Sequence, residues 1–155
     1  MTVNIDITKE LKAVEKLIKS DINKEKTILG LYNYIFKSDG KKIRSRLNLI
    51  ASSSRKNSHR YKLASIIELL HTATLVHDDV VDNASTRRGA VSVNSLWSNA
   101  HGVLIGDYIY SKAFMLMVEI GKKDILAELA DATNDISQGE LIQLDAISNI
   151  KISLN

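Results

Sequence analysis

The chain has 155 residues, of which 45% are hydrophobic and 25% are charged, and its net charge is +3 at pH 7. These values are typical of a soluble globular protein, and the length is enough for one domain with a substantial core. The Lys and Arg residues are dispersed along the chain, which argues against a nucleic-acid-binding surface. The absence of cysteine excludes disulfides and thiolate metal sites, and it fits a reducing compartment.

The hydropathy pattern predicts neither a transmembrane segment nor a secretion signal. Asp107 and Lys112 interrupt the most apolar run, which therefore falls short of the roughly 18 residues that a membrane span needs. The N-terminal sequence MTVNIDITKELK lacks the apolar region of a signal peptide. We therefore expect a cytoplasmic protein. The chain also contains no proline, which fits a structure built mostly of uninterrupted helices.

Two amphipathic helices are predicted before residue 38. Apolar residues recur at helical spacing over residues 8–19, where Thr8 is the predicted N-cap, and again over residues 25–37. We interpret both helices as packing elements. The tripeptide Ser38-Asp39-Gly40 then indicates a turn.

The basic segment Lys41-Lys42-Ile43-Arg44 is predicted to open a third helix that runs to about residue 53. Lys41 and Arg44 are three residues apart, so they would be neighbours on one helical face, near an N-terminus whose N–H groups favour anions. Such a pair can hold a diphosphate, whereas a solvated basic face is the commoner meaning of this pattern. A polar linker over residues 52–59 follows.

The most informative pattern is at the end of the next predicted helix, residues 61–82, where three aspartates fall within five positions. Asp78 and Asp82 are four residues apart, so their carboxylates share a face about 6 Å apart along the helix axis. Asp79 lies on the flank of the same face. Carboxylates this close repel one another, and Mg²⁺ is a suitable counter-ion because it takes oxygen ligands and bridges carboxylates to phosphates.

Polar and basic residues on both sides of the aspartates extend this pattern. His71 lies seven residues before Asp78, within about 20° of it on the helical wheel, and Thr74 continues the stripe between them. Arg87 and Arg88 follow in a predicted loop and supply forked donors matched to phosphate oxygens. Each feature alone is more often solvated surface or satisfied core, but the combination of metal-binding and phosphate-binding groups predicts a diphosphate site.

Two more helices are predicted over residues 101–121 and 123–146. In the first, Gly102 and Gly106 are four residues apart and would allow close helix packing, with Asp107 near a helix contact. The second helix is expected to turn one stripe of side chains inward. This stripe comprises Leu126, Leu129, Ala130, Thr133, Ile136 and Ser137.

The segment HTATLVHDDVVD followed by TRRG resembles the first aspartate-rich region of trans-polyprenyl diphosphate synthases, especially the octaprenyl-type bacterial enzymes. Upstream, residues 40–44 resemble the family's G-G-K-x-x-R-P segment, with Asp39 in place of the second glycine and Ser45 in place of the proline. Downstream, VLIGDYIYSKAF (residues 103–114) and GELIQL (residues 139–144) resemble the two helices that follow the motif. Four separate blocks in the right order make the resemblance very specific.

The resemblance, which covers roughly residues 28 to 145, implies an all-α fold, namely an isoprenoid-synthase-type helical bundle. It also implies an enzyme of isoprenoid biosynthesis, a prenyltransferase that condenses isopentenyl diphosphate with an allylic prenyl diphosphate. The product would be a medium- or long-chain polyprenyl diphosphate. We expect residues 1–155 to form a single domain that corresponds to roughly the first half of the family fold.

The resemblance also implies which residues bind the substrate that is added at each step. Lys41, Arg44, His71 and Arg88 match the family's isopentenyl diphosphate site. Arg87 matches a residue that contacts the diphosphate of the allylic substrate.

The aspartates and their neighbours receive the remaining implied roles. Asp78 and Asp82 match the family's Mg²⁺ ligands on the allylic diphosphate, and Asp79 belongs to the same catalytic group. Ala73 and Thr74 match the positions at which bulky residues shorten the product. Both residues are small here, which favours a medium or long product.

The sequence contains no second D-D-x-x-D motif, because Asp131, Asp135 and Asp145 are too widely spaced to form one. We therefore expect the N-terminal half of a synthase, as a truncated or decayed gene, a piece of a split enzyme or a fragment. Half of a helical bundle would expose apolar helix faces. This predicts aggregation or a partner, either a second copy of the chain or a complementary synthase chain.

Two other functions remain open at this point. The first is a non-catalytic subunit that binds and modulates a full-length or complementary synthase. The second is a metal-dependent phosphohydrolase in which His77-Asp78 is an H-D pair and His71 is a further ligand. The second interpretation leaves Asp82 and the two arginines without a role, and a preference for Mg²⁺ over transition metals would count against it.

Overall fold

The computed structural model describes residues 6–37, 40–54 and 57–148, and this part of the chain is almost entirely helical. The predicted all-α fold is therefore confirmed. The elements in chain order are α1 (Ile7–Ile18), α2 (Lys26–Ile35), α3 (Ile43–Ala51), α4 (His59–Val81), β1 (Thr86–Arg87), β2 (Ala90–Val91), α5 (Val93–Leu96), α6 (Asn99–Ile120) and α7 (Lys123–Ser148).

The chain divides into two compact units, residues 1–120 and residues 121–155. In the first unit, α4 is the central helix and packs against α6, α3 and α1. Its buried positions are spread around the helix rather than along one stripe, because it has neighbours on several sides. The buried apolar residues of α4 are Ala64, Ile66, Leu69, Leu70, Ala73 and Val76. None of the described helices combines the length and apolar character that a membrane crossing requires.

Two helix starts differ from the predictions, α1 because of its capping side chain and α3 because of its backbone conformation. Asp6, not Thr8, is the N-cap of α1, and its carboxylate accepts from Lys9 N at 3.1 Å. Helix α3 begins at Ile43 rather than at Lys41, because Lys42 adopts a left-handed conformation with φ 46°. Lys41 is therefore outside the helix, and the prediction that it shares a helical face with Arg44 was wrong.

The segment after α4 is more ordered than the predicted loop. Two short antiparallel strands pair Thr86 with Val91 and Arg87 with Ala90, and the single turn of α5 follows. Ser92 N donates to Ser85 O at 3.0 Å and closes the base of this hairpin. Strands of two residues give little periodicity, so the pattern of the sequence did not predict them.

Helix α7 does not bury the stripe that the sequence predicted. None of its described side chains is buried, and Leu126, Ile136 and Leu141 are 40%, 48% and 64% exposed. The described part of the second unit is a single helix, which has no second element within that unit against which to bury an apolar face. The prediction that residues 1–155 form one domain stays a prediction, and Asp39 lies outside the described residues.

The two glycines of α6 allow close packing against α4, as predicted. A Cβ atom added at Gly102 would lie 2.6 Å from Val80 Cγ2, and one added at Gly106 would lie 2.2 Å from His77 Nε2. His77 Nε2 in turn lies 3.2 Å from Val103 O and 3.4 Å from Asp107 Oδ1. The absence of side chains at these two positions brings the aspartate-bearing end of α4 onto α6.

Substitution of Gly106 by alanine is expected to lower the free energy of unfolding. The added methyl group would overlap the His77 ring, and overpacking of this kind costs about 1–3 kcal/mol, against the ~1 kcal/mol that alanine gains over glycine within a helix. Urea unfolding followed by circular dichroism measures the difference. Gly30→Ala is the matched control, because apart from the backbone and chain neighbours of its own helix nothing lies within 4 Å of its added Cβ. A gain in stability equal to that of Gly30→Ala would contradict the close contact.

Candidate diphosphate-binding site

A cavity of about 820 Å³ lies among α2, the start of α3, residues 68–79 of α4 and the β1–β2 hairpin. Its lining combines six cationic side chains with several apolar ones, and it also includes Glu68 and Asp79. The cationic residues of the lining are Lys37, Lys41, Lys42, Arg44, Arg87 and Arg88. The apolar residues are Ile18, Ile35, Phe36, Ile43, Leu75, Val76, Val91 and Val93. A cavity of this kind suits a small anion that carries an apolar group.

The short segment before α3 is fixed by contacts on both sides. Lys42 forms an ion pair with Glu15 of α1, and Arg46 Nε donates to Lys41 O at 2.9 Å. A lysine in the left-handed region costs of order 1 kcal/mol, so these contacts help to hold Lys42 there. The turn brings both Lys41 and Arg44 to the cavity although they do not share a helical face.

Glu68 is a residue of the cavity to which the sequence analysis assigned no role. Its Oε1 accepts from Ser45 N at 3.1 Å, across from α4 to the first turn of α3. This contact satisfies the N–H group of Ser45, the third residue of α3. The N–H groups of Ile43 and Arg44 at the helix N-terminus then favour an anion. The spacing of Glu68, one turn before His71, was a signal that could have placed it on the cavity side of α4.

His71 contacts Arg44 rather than standing alone in the cavity. Arg44 Nη1 lies 3.0 Å from His71 Nε2. A guanidinium only donates hydrogen bonds, so Nε2 is the acceptor and the ring is neutral in this contact. Burial, followed by the charge of Arg44, lowers the pKa of His71; Glu68 opposes the shift, and Arg88 and Arg87 add to it. The ring therefore acts as a neutral partner that orients Arg44.

The lowered pKa of His71 predicts that the protein loses stability on acidification. The unfolded chain takes up a proton near pH 6.5, whereas the folded chain does so only at lower pH. The unfolded state therefore binds more protons in that window, so the contribution of His71 is fully present above pH 6.5 and is lost as the pH falls below it. Urea unfolding of the wild type and of His71→Gln at pH 7.5 and 5.5 is the measurement. The variant should lose less stability than the wild type between these values, and an equal loss would contradict the neutral-ring assignment.

The β1–β2 hairpin presents the two arginines to the cavity. Arg88 and Gly89 form its two-residue turn with φ values of 52° and 80°. Two positive φ angles match a type I′ turn, whose twist fits a two-residue hairpin. Arginine is an uncommon residue in the left-handed region, and here that conformation places Arg88 beside Arg87 in the cavity lining. Tyr34 of α2 holds the hairpin because its hydroxyl donates to Val91 O at 2.7 Å.

The structure separates the three aspartates of the motif. Asp79 is buried and lines the cavity, and both of its carboxylate oxygens lie 2.8 Å from Arg87 Nε. This hydrogen bond is the main cause of the raised pKa of Arg87. Asp78 is half-buried in the last turn of α4, and Asp82 is the exposed C-cap. The described cavity lining includes neither of these two.

The polar stripe predicted along α4 therefore differs from the cavity-facing side that the structure shows. That side comprises Glu68, His71, Thr72, Leu75, Val76 and Asp79. His71 lies at its edge, about 80° from Asp79 on the helical wheel. Thr74 is half-buried and donates its hydroxyl to His71 O at 2.9 Å, and Ala73 is fully buried. Neither chain-length candidate belongs to the described lining.

The residues proposed for Mg²⁺ form a pair rather than a closed ligand cage. The described residues contain no cluster of three or more carboxylate or imidazole groups that could hold a metal ion. Mg²⁺ usually takes only one or two carboxylates and completes its octahedron with water and substrate phosphates. Asp78 and Asp82, one turn apart at a helix C-terminus, fit that requirement. Two negative charges at this end oppose the helix dipole, so helix stability does not explain their presence.

The phosphohydrolase alternative requires His77 and His71 in one site, and the structure points them to different neighbours. His77 contacts α6, where its Nε2 lies 3.2 Å from Val103 O. His71 lines the cavity and contacts Arg44. The two histidines therefore do not meet at a common metal position.

The chain is thus an all-α protein with a cavity whose lining is both cationic and apolar. The family model described as Polyprenyl synthetase matches residues 6–155. The chain belongs to this family, which confirms the resemblance of its aspartate motif.

Three relatives illustrate the match. Octaprenyl diphosphate synthase of Escherichia coli (strain K12) is 34% identical over 155 residues, which are 97% of this chain and 48% of that protein. The crystal structure of a decaprenyl diphosphate synthase from Rhodobacter capsulatus has a TM-score of 0.88 at 34% identity, and the match covers 95% of this chain and 46% of the other. A polyprenyl synthase from Caulobacter crescentus CB15, complexed with calcium and isoprenyl diphosphate, has a TM-score of 0.88 at 35% identity, with 94% and 45% covered. The chain spans about half the length of these relatives.

Proposed function

We propose that this chain contains the isopentenyl diphosphate site and the first metal-binding pair of a medium- or long-chain polyprenyl diphosphate synthase. The observation that carries the proposal is the cavity of about 820 Å³, whose lining contains guanidinium and ammonium groups together with apolar side chains. A diphosphate with a five-carbon tail combines the same two characters. The neighbouring proteins of known structure include a polyprenyl synthase complexed with calcium and isoprenyl diphosphate.

In the proposed site, Lys41, Arg44 and Arg88 bind the diphosphate of isopentenyl diphosphate, and His71 orients Arg44. Arg87 contacts the diphosphate of the allylic substrate. Several fixed cations around one diphosphate lower the cost of bringing two highly charged substrates together. The apolar side chains of the cavity would hold the short isopentenyl tail and exclude water from it.

The proposed reaction is head-to-tail prenyl transfer. The carbon–oxygen bond of the allylic diphosphate breaks, and the electron pair leaves with the diphosphate. The double bond of isopentenyl diphosphate forms the new carbon–carbon bond, after which a proton is lost from its neighbouring carbon. Mg²⁺, held by Asp78 and Asp82, would neutralise charge on the leaving diphosphate. The residues of this chain bind and orient both substrates.

Ala73 and Thr74 are the proposed chain-length positions because both side chains are small and Thr74 lies one turn before Asp78. We also propose that the protein acts in the cytoplasm. Its proposed partner is a second synthase chain, either another copy or a complementary one.

A prenyl-transfer assay tests the proposed function. The purified chain is supplied with Mg²⁺, farnesyl diphosphate and labelled isopentenyl diphosphate, alone and together with a complementary synthase chain, and the products are separated by length. Labelled products longer than farnesyl diphosphate in either mixture support the proposal. Failure to bind isopentenyl diphosphate in equilibrium dialysis, together with no product in both mixtures, would refute it. If this chain changes the activity of the complementary chain but forms no product itself, the alternative function as a non-catalytic subunit is favoured.

Asp78→Ala is expected to abolish the Mg²⁺-dependent part of the binding of an allylic diphosphate. The variant removes one of two carboxylates in the proposed pair, and a single carboxylate holds the ion weakly. Titration calorimetry with farnesyl diphosphate, in EDTA and then in Mg²⁺, measures the gain in affinity that Mg²⁺ produces. Asp131→Asn, an exposed position on α7, is the control for loss of one negative charge. An unchanged gain in Asp78→Ala would exclude Asp78 as a ligand.

A further inference from the structure

The three aspartates of the motif differ in what surrounds their carboxylates. Asp79 is 5% exposed, whereas Asp78 is half-buried and Asp82 is exposed. The Asp79 carboxylate meets Arg87 Nε with both oxygens at 2.8 Å. The Nε–H group thus occupies the position between the two oxygens that a bidentate metal ion would take. The burial of Asp79 and its contact with Arg87 therefore set it apart from the other two carboxylates.

The backbone around Asp79 is also held in place. Its carbonyl oxygen accepts from Ala84 N at 2.9 Å and from Asn94 Nδ2 at 3.0 Å. Ala84 O in turn accepts from Ser92 Oγ at 2.6 Å and from Asn94 Nδ2 at 3.1 Å. These contacts connect the end of α4 to both ends of the hairpin that carries Arg87. The position of the Asp79 carboxylate relative to the hairpin is thereby fixed on both sides.

The contact uses the Nε end of the Arg87 guanidinium. Arginine has five N–H donors in a rigid plane, and the four donors on Nη1 and Nη2 form the fork that pairs with two phosphate oxygens. When Nε is held by a fixed carboxylate, the plane of this fork is fixed as well. Arg87 lines the cavity, so the fixed fork lies beside it.

We propose that Asp79 is a positioning residue, which orients the Arg87 guanidinium toward a substrate phosphate and does not itself hold the metal. The inference rests on the proposed function, because it assumes that a diphosphate binds beside Arg87. It divides one acidic motif into two roles. Two carboxylates hold the metal, and the buried one between them orients a cation.

A double-mutant cycle with Asp79→Asn and Arg87→Gln tests this assignment. The probe is farnesyl diphosphate, and its affinity is measured by titration calorimetry in EDTA and then in Mg²⁺. Each single variant should bind about tenfold more weakly in EDTA, as expected for a lost or misaligned charge-assisted hydrogen bond. The double variant should bind no more weakly than Arg87→Gln, because Asp79 acts only through Arg87.

The response to Mg²⁺ separates the positioning role from a metal-binding role. Asp79→Asn should keep the same fold-gain in affinity on addition of Mg²⁺ as the wild type, whereas Asp78→Asn should lose it. Loss of the gain in Asp79→Asn would make Asp79 a metal ligand and overturn the proposal. Additive effects of the two substitutions in EDTA would overturn it as well.

Two further measurements keep the test decisive. If circular dichroism shows that Asp79→Asn does not fold, Arg87→Lys replaces it, because lysine keeps the charge and lacks the Nε donor. Wild-type affinity in Arg87→Lys would overturn the proposal, and a tenfold loss would support it. If the wild type binds no farnesyl diphosphate in either buffer, the proposed function fails instead. Slow hydrogen exchange of the Arg87 Nε–H by NMR would then still report the contact with Asp79.

Discussion

Replacing Arg44 with glutamine is expected to weaken the binding of isopentenyl diphosphate by about 10- to 100-fold, the range of one or two charge-assisted hydrogen bonds to a phosphate. Arg44 is the second residue of α3, where the backbone N–H groups of the first turn favour the same anion. Its guanidinium lies 3.0 Å from His71 Nε2, so the substitution also removes the partner of that ring. Arg44 thus supplies a positive charge next to the helix N-terminus, and its contact keeps the His71 ring neutral.

The measurement is a calorimetric titration with isopentenyl diphosphate at low and high salt. Lys123→Gln, at the exposed start of α7, is the matched control because it removes the same unit of positive charge in the other unit of the chain. Arg44 lowers the pKa of His71, so this pKa should rise in Arg44→Gln. The His71 ring should then take up a proton as the pH falls and become a cation in the site. The affinity of the variant should therefore recover in part on acidification. Equal affinities of Arg44→Gln and Lys123→Gln would remove Arg44 from the site.

Substitution of Arg60 by methionine is expected to lower the free energy of unfolding by about 3 kcal/mol, the lower end of the range for removing one partner of a buried ion pair. Arg60 is 8% exposed, and its two Nη atoms donate to the two carboxylate oxygens of Glu10 at 2.7 and 2.6 Å. Nη2 also donates to Leu49 O at 2.8 Å. One side chain of α4 thus ties α1 and α3 together, and its loss leaves a largely buried carboxylate unpaired.

Urea unfolding of Arg60→Met and of the double variant Glu10→Gln/Arg60→Met measures this effect. The double variant should be more stable than the single one, because it no longer buries an uncompensated charge. The ion pair of Lys62 and Glu119 is the control, since its two side chains are 24% and 54% exposed. Lys62→Met should change the stability by less than about 1 kcal/mol. Equal effects of Arg60→Met and Lys62→Met would contradict the buried character of the first pair.

The helices, and several of the residues that line the cavity, could be predicted from the sequence alone. Apolar residues at helical spacing predicted α1, α2, α4, α6 and α7 to within about two residues at most ends, because this periodicity is a local property of the chain. The resemblance selected Lys41, Arg44, His71, Arg87 and Arg88, and the structure brings all five to one cavity. The glycine pair of α6 likewise predicted a close helix contact, which the structure shows with α4.

The arrangement of those residues could not be predicted from the sequence, because the contacts that fix it join distant parts of the chain. Glu68 reaches the first turn of α3 across 23 positions, and Arg60 reaches Glu10 across 50. The pairing of Asp79 with Arg87 depends on a hairpin with two-residue strands, too short to leave a periodic signal. Helical spacing grouped Asp79 with the other two aspartates, whereas burial and a guanidinium partner, which are properties of the folded chain, distinguish it from them.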